Sequence, residues 1–247
     1  MKISIVMSYY DRFPQLLKTL ESFGKYDPNE FNVVIVDDGS PRDIVLPIYP
    51  FEVTVLKMYD KKWMMGDPAY NTGFRYALLK EPDIIIIQNA ECYHHGDILS
   101  YAKKVTDTTY ISFGCYSQGK GEEIGAVINN RVATFDGESA WYNHPVYRPK
   151  GYHFCAAITA SNLKKINGFD ERFSQGVGYD DDYLLHQIRC LGLKTEITAE
   201  PFVIHQWHEH HIFPEDEGSL FWKNEALFRE LVKENNYRAQ HIYTPDL

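Results

Sequence analysis

Residues 2–7, KISIVM, and residues 31–40, FNVVIVDDGS, decide the fold. Each carries a short aliphatic, β-branched run of the kind found in strands buried on both faces. Between them Pro14 stands where a helix can begin, Leu16, Leu17, Leu20 and Phe23 recur at helical spacing, and Gly24 supplies a stop. Strand, helix and strand within about 35 residues make a βαβ unit, and so a parallel pair with a right-handed crossover.

The pattern continues outward. Residues 53–58 read as a third strand. A helix is expected over 69–79, opened by Asn71-Thr72-Gly73, and IIII at 84–87 reads as a central strand ending in Gln88-Asn89-Ala90-Glu91. A helix over 98–105 and a strand over 110–113 follow. Residues 114–150, rich in Gly, Asn, Tyr and Pro, read as loops with short strands. A strand over 154–159, a short helix over 163–166 capped by Ser161-Asn162, strands over 195–197 and 202–205, and an amphipathic helix over 218–235 complete the chain. Alternating elements with aliphatic strands predict an α/β fold with one mostly parallel sheet covered on both sides, and a single domain over 1–247.

Composition narrows the function. An apolar content of 44% provides a real core, and a net charge of −9 argues against a nucleic-acid partner, which needs a basic face. The four cysteines are scattered without a CxxC pair, and no charged-then-apolar leader opens the chain. The expectation is a cytoplasmic protein with reduced thiols and no transmembrane segment, peripheral attachment to a membrane being left open.

In an open α/β sheet, ligands bind outside the carboxyl ends of the strands, where the polar clusters fall here. The first strand ends in Ser8-Tyr9-Tyr10, the second in Asp37-Asp38, and the 84–87 strand in Asn89-Ala90-Glu91. A further acidic cluster lies within GFDERFSQGVGYDDDYLLHQIRCLG at 168–192, where Asp180, Asp181 and Asp182 precede Leu184, Leu185, Ile188 and Leu191 at helical spacing. At a helix entrance the dipole stabilises their charges. By itself the triplet also fits a capped, solvated acidic turn. Histidines cluster at 205–211, and His205 closes an apolar strand.

SIVMSYYDR, VIVDDGS, IIIIQNAEC and NGFDERFSQGVGYDDDYLLHQIR, in that order, resemble a glycosyltransferase of the GT-A fold, family 2 type, over about residues 3–210. The resemblance implies an inverting enzyme that uses a nucleoside-diphosphate sugar, UDP-linked by expectation, and a glycan, glycoconjugate or lipid-linked acceptor. It divides the domain into a nucleotide-sugar-binding half (1–113), an acceptor and catalytic half (114–215) and a helical tail (216–247). Asp38 would contact the donor base, Ser8 and Tyr9 would wall its pocket, and Asn71, Gly73 and Asn89 would lie near the ribose or phosphates. Asp181 matches the family's general base and Asp180 the residue before it, which would orient the acceptor. Asn89-Ala90-Glu91 replaces the family's Asp-x-Asp, so one carboxylate is lost. Glu91 remains a hard oxygen ligand for Mn²⁺ or Mg²⁺, His205 is either a second ligand or a plain strand end, and His208 is a weaker candidate.

The acceptor site of this fold is expected in the irregular region, which makes Trp141 and His153 candidates, with Tyr142 and His144 beside them; Asp182, the last of the aspartate triplet, is a further acceptor candidate. Asn89 in place of an aspartate favours a rival, a non-catalytic GT-A-like domain that binds nucleotide sugar or glycan. A nucleotidyltransferase is disfavoured, because no Gly-rich phosphate loop with a lysine follows the first strand.

Overall fold

The computed structural model describes residues 1–135, 137–209, 217–234 and 236–247. The expected βαβ unit is present. β1 (Ile3–Tyr9) leads through α1 (Phe13–Ser22), with Pro14 in its first turn, to β2 (Phe31–Asp37). β3 (Glu52–Lys57), α2 (Asp67–Leu78), β4 (Ile84–Asn89), β5 (Cys92–His95), α3 (Ile98–Ala102) and β6 (Thr109–Ser117) follow. The irregular region holds α4 (Ile124–Asn129), the small hairpin β7 (Thr134–Phe135) and β8 (Glu138–Ser139), and β9 (Trp141–Asn143). Then come β10 (Cys155–Thr159), α5 (Ala160–Ile166), α6 (Asp180–Cys190), β11 (Lys194–His205) and α7 (Glu217–Leu231).

A nine-stranded sheet runs in the order β3-β2-β1-β4-β10-β6-β11-β5, with β9 on β6. β3, β2, β1, β4, β6 and β11 run one way, and β10, β9 and β5 the other. Alternating side chains fill both faces. Ile3, Ile5, Met7, Val33 and Ile35 pack under α1, whereas Val6, Val34, Val36, Ile85 and Ile87 pack under α2 and α6. The shared register places Ser8 of β1 beside Val36 of β2 on one side and Asn89 of β4 on the other. The polar strand ends therefore emerge level, at one rim of the sheet.

Four expectations need correction. β5 escaped notice because CYHH carries too little aliphatic character, yet His94 is fully buried, held between Gln88 and Tyr26. The two late strands are one, interrupted by a register shift between Thr198 and Phe202. The cap of α5 is Thr159, whose hydroxyl accepts from the Asn162 amide, so the helix begins three residues early. Most consequential, α2 begins at Asp67, with Pro68 in its first turn, so Asn71 and Gly73 lie inside the helix. His210 and His211 lie outside the described residues.

Candidate active site

A cavity of roughly 470 Å³ opens at the rim, lined by residues from the ends of β1, β2 and β4 and from the starts of α2 and α6. Asp38 stands at its β2 side, Ser8, Tyr10 and Arg12 on the β1 loop, and Asn89 and Glu91 beyond β4. Gly66, Asp67 and Tyr70 come from the start of α2, His153 from the approach to β10, and Asp180 and Asp181 from the start of α6.

Asp38 is anchored before it can act. Its amide donates to the Tyr9 carbonyl at 2.8 Å, and its carboxylate accepts from Lys61 Nζ at 2.5 Å and Trp63 Nε1 at 2.7 Å. Burial pushes its carboxyl up, and the Lys61 ammonium and Trp63 indole oppose that shift. Trp63 is in turn packed on Tyr243 near the C-terminus. Glu171, fully buried in the GFDE stretch, accepts from the backbone amides of Ile242, Tyr243 and Thr244 and so ties that tail down.

Glu91 is the crowded position. It is buried, and Arg12 Nη1 approaches its Oε1 to 2.5 Å. His205 Nε2 lies 3.2 Å and His208 Nε2 3.7 Å from the same oxygen. Burial alone would raise the Glu91 carboxyl; the His205 hydrogen bond and charge, with Arg12 behind them, win and lower it to about 2. One carboxylate oxygen and one ring nitrogen from each of His205 and His208 all lie within 4.8 Å of one another. Mixed carboxylate and imidazole donors fit Mn²⁺ better than Mg²⁺, which prefers oxygen alone. Tyr142 and Phe154 meet the His205 ring edge-on and fix its orientation. A second cavity of roughly 500 Å³, lined by Tyr142, Gln118, Trp207 and the two histidines, shares Arg12, Asn89 and Glu91 with the first.

At the opposite wall α6 begins. Tyr179 precedes it with φ +66, a left-handed conformation unusual for a non-glycine residue, and its ring packs on Phe221 and Phe228 of α7. This turn directs Asp180 and Asp181 into the cavity. His153 Nδ1 and Asp181 Oδ1 are in contact. Burial would lower the His153 imidazole, but the neighbouring Asp181 carboxylate overrides it and raises it. The Asp180 carboxyl is raised to about 7, by burial first and then by Asp181. Burial, followed by Asp180, also pushes Asp67 well above the usual carboxylate range.

A raised carboxyl makes the folded state bind the extra proton. Its stabilising contribution is complete below the unfolded value near 4 and is lost as pH rises through about 7. Asp180→Asn, neutral at every pH, should therefore melt higher than the parent at pH 8, by about 2–4 °C per kcal/mol of burial and repulsion penalty removed, and equally at pH 4. Melting curves of the two proteins at both pH values test this, and equal melting at pH 8 would contradict the assigned shift.

Ser8, Asp38, Asn89, Glu91, His153, Asp180 and Asp181 are thus brought together, and His205 joins them through Glu91. Five other candidates are not among the lining residues. Asn71 is fully buried and clasps the Phe169 backbone, its Oδ1 accepting the amide and its Nδ2 donating to the carbonyl, both at 2.9 Å. Gly73 lies against Val6 and Val36, where an added Cβ would stand 2.5 Å from a Val6 methyl carbon. Tyr9 turns into the core. Trp141 packs on Tyr116 and Phe202, and Asp182 accepts from the Tyr152 hydroxyl at 3.1 Å. Sequence reasoning missed Arg12, Lys61, Trp63, Asp67 and Tyr70. Only Asp67 left a signal, the Gly-Asp-Pro start of α2.

A mostly parallel α/β sheet flanked by helices, with its polar strand ends at one rim, has the architecture of GT-A glycosyltransferases. Residues 4–163 match the family described as Glycosyl transferase family 2. The chain belongs to that family. Comparison with curated protein sequences gives no match. Among solved structures, S. aureus TarS 1–349 superposes with a TM-score of 0.65 at 12% identity, over 98% of this chain and 67% of that one. Complexes of the same fragment with UDP and UDP-GlcNAc also match, with TM-scores of 0.63 and 0.62. The mannosyltransferase PcManGT from Pyrobaculum calidifontis, in complex with GDP-Man and Mn²⁺, gives 0.57 at 15% identity, over 97% of this chain and 66% of that one. Against the longer TarS structure the chain spans 39% of the relative's length. Identities this low establish a shared fold. Among the described residues, no helix is long and apolar enough to cross a membrane.

Proposed function

We propose that the chain is one GT-A unit that transfers a sugar from a nucleoside diphosphate, UDP by first expectation, to a hydroxyl of a glycan, glycoconjugate or lipid-linked acceptor, with inversion. One observation carries this reading: Asp38, Glu91 and Asp181, far apart in the chain, line a single cavity. Its size suits a ligand of drug-like or cofactor dimensions. Solved relatives holding UDP, UDP-GlcNAc and GDP-Man add support for a nucleotide-sugar donor.

In this reading Asp38 accepts an N–H of the donor base, and Ser8 and Tyr10 wall the same end. Asp181 takes the proton of the acceptor hydroxyl as its oxygen attacks the anomeric carbon. The bond to the diphosphate breaks on the opposite face, and its electron pair leaves with the nucleoside diphosphate. Asp181 needs no special resting basicity, since the hydroxyl acidifies only as the new bond forms. Asp180 orients the acceptor, and His153 holds Asp181 in place. Glu91, His205 and His208 would hold Mn²⁺ or Mg²⁺, which when bound stabilises negative charge growing on the leaving diphosphate.

The rival is a domain that binds nucleotide sugar without turning it over. Asn89 in place of a carboxylate and Arg12 against Glu91 favour it. Release of free nucleoside diphosphate from a panel of UDP- and GDP-sugars, with and without Mn²⁺, separates the two. Transfer requires release that is Mn²⁺-dependent and stimulated by an acceptor; tight donor binding with no release under any condition would leave the binding domain.

A further inference from the structure

Arg12 presses a permanent positive charge against a residue expected to ligate a cation. It sits at the start of α1, on the loop after β1, and its guanidinium shares Glu91 Oε1 with the two imidazoles. An imidazole ring nitrogen can offer a lone pair to a cation; a guanidinium has none to offer. A divalent ion among Glu91, His205 and His208 would meet Arg12 beside a common oxygen, and in a partly buried site that repulsion is poorly screened. Arg12 has somewhere to go. It lines both cavities that meet at Glu91, and guanidinium groups bind phosphate oxygens in a paired fork.

We propose that Arg12 is a resident counter-ion that makes divalent-cation binding conditional on a nucleoside diphosphate. With the site empty of nucleotide, Arg12 neutralises Glu91 and holds cation affinity down. When a diphosphate enters, Arg12 transfers from the carboxylate to the phosphate oxygens and Glu91 is released to the metal. No covalent bond changes; one ion pair is exchanged for two. Coupling is reciprocal, so the cation in turn strengthens nucleotide binding. This rests on the glycosyltransferase reading for the identity of the anion.

The test titrates Mn²⁺, followed by the electron paramagnetic resonance of the free ion, into the full metal-stripped chain and into Arg12→Gln, Arg12→Lys and Glu91→Gln. UDP and GDP binding is measured alongside by calorimetry, in chelator and in Mn²⁺. Arg12→Gln should bind Mn²⁺ alone roughly 5- to 150-fold more tightly than the parent, the range of a typical coupling between sites. The extra tightening that Mn²⁺ gives to nucleotide should shrink by a similar factor. Arg12→Lys, which keeps the charge, should stay near the parent, and Glu91→Gln should lose Mn²⁺ binding. Equal or weaker Mn²⁺ affinity in Arg12→Gln overturns the proposal. So does tightening that survives in the Arg12→Gln/Glu91→Gln double variant, because the ion would then sit elsewhere. Should Arg12→Gln not fold, Arg12→Met repeats the neutralisation, judged by the same outcomes. If neither nucleotide binds any variant, the glycosyltransferase reading falls, whereas nucleotide binding with Mn²⁺ affinity indifferent to residue 12 sinks the counter-ion alone.

Discussion

Asp181→Asn should lower turnover by about 10²- to 10⁴-fold, the usual contribution of a positioned general base, while donor affinity stays essentially unchanged. The amide keeps the shape of the carboxyl and leaves His153, Asp180 and the start of α6 in place, but it cannot take a proton. In the proposed reading donor binding depends on the opposite end of the cavity, where Asp38 is held by Lys61 and Trp63. The expected signature is therefore a fall in kcat with little change in the donor KM. Steady-state kinetics beside nucleotide calorimetry read both quantities. Full activity in Asp181→Asn would remove that residue from the base role and turn attention to Asp180, whose carboxyl is already raised to about 7.

Glu91→Ala is expected to have the second largest effect. The substitution removes the one carboxylate of the carboxylate–histidine cluster and leaves Arg12, His205 and His208 facing one another without their shared counter-charge. Metal-assisted turnover should drop by at least about 10²-fold, comparable to deleting a principal electrostatic stabiliser of a transition state. Mn²⁺ should no longer improve donor binding. A Mn²⁺ titration that matches the parent would place the cation elsewhere. The two variants differ in a useful way: one spares nucleotide affinity and the other couples its loss to metal.

The parallel half of the fold was legible because its cause is local. Aliphatic runs at 2–7, 31–36 and 84–87 can be buried only in central strands, and the Pro14-to-Gly24 segment can cover them only as a helix. The rule that ligands gather beyond the carboxyl ends of such strands then located Ser8, Asp38, Asn89 and Glu91, and the acidic helix entrance located Asp180 and Asp181. Register turned those scattered positions into neighbours: Ser8 is level with both Val36 and Asn89, so the polar residues beyond them emerge at one rim.

The errors were those that a one-dimensional pattern invites. Expecting a helix over 69–79 opened by Asn71-Thr72-Gly73, where α2 begins at Asp67, counted two inward-facing residues, Asn71 and Gly73, among the candidates and left Asp67 out. Which face of a helix a residue occupies depends on its start to within a residue or two, since each step turns the side chain by about 100°. Arg12, Lys61 and Trp63 carried no periodic signal, because they lie on loops whose paths are set by what they touch. Trp63 rests on Tyr243, which Glu171 holds in turn, a relay between residues up to 180 positions apart whose ends are given by the numbering alone. By itself the sequence determined the parallel half of the sheet, the helices that cover it and the carboxylates at its rim, because burial and helix dipoles act on neighbours along the chain. Only the tertiary structure decided that Arg12 would share Glu91 with two histidines and that His153 would meet Asp181, because charges pair through space.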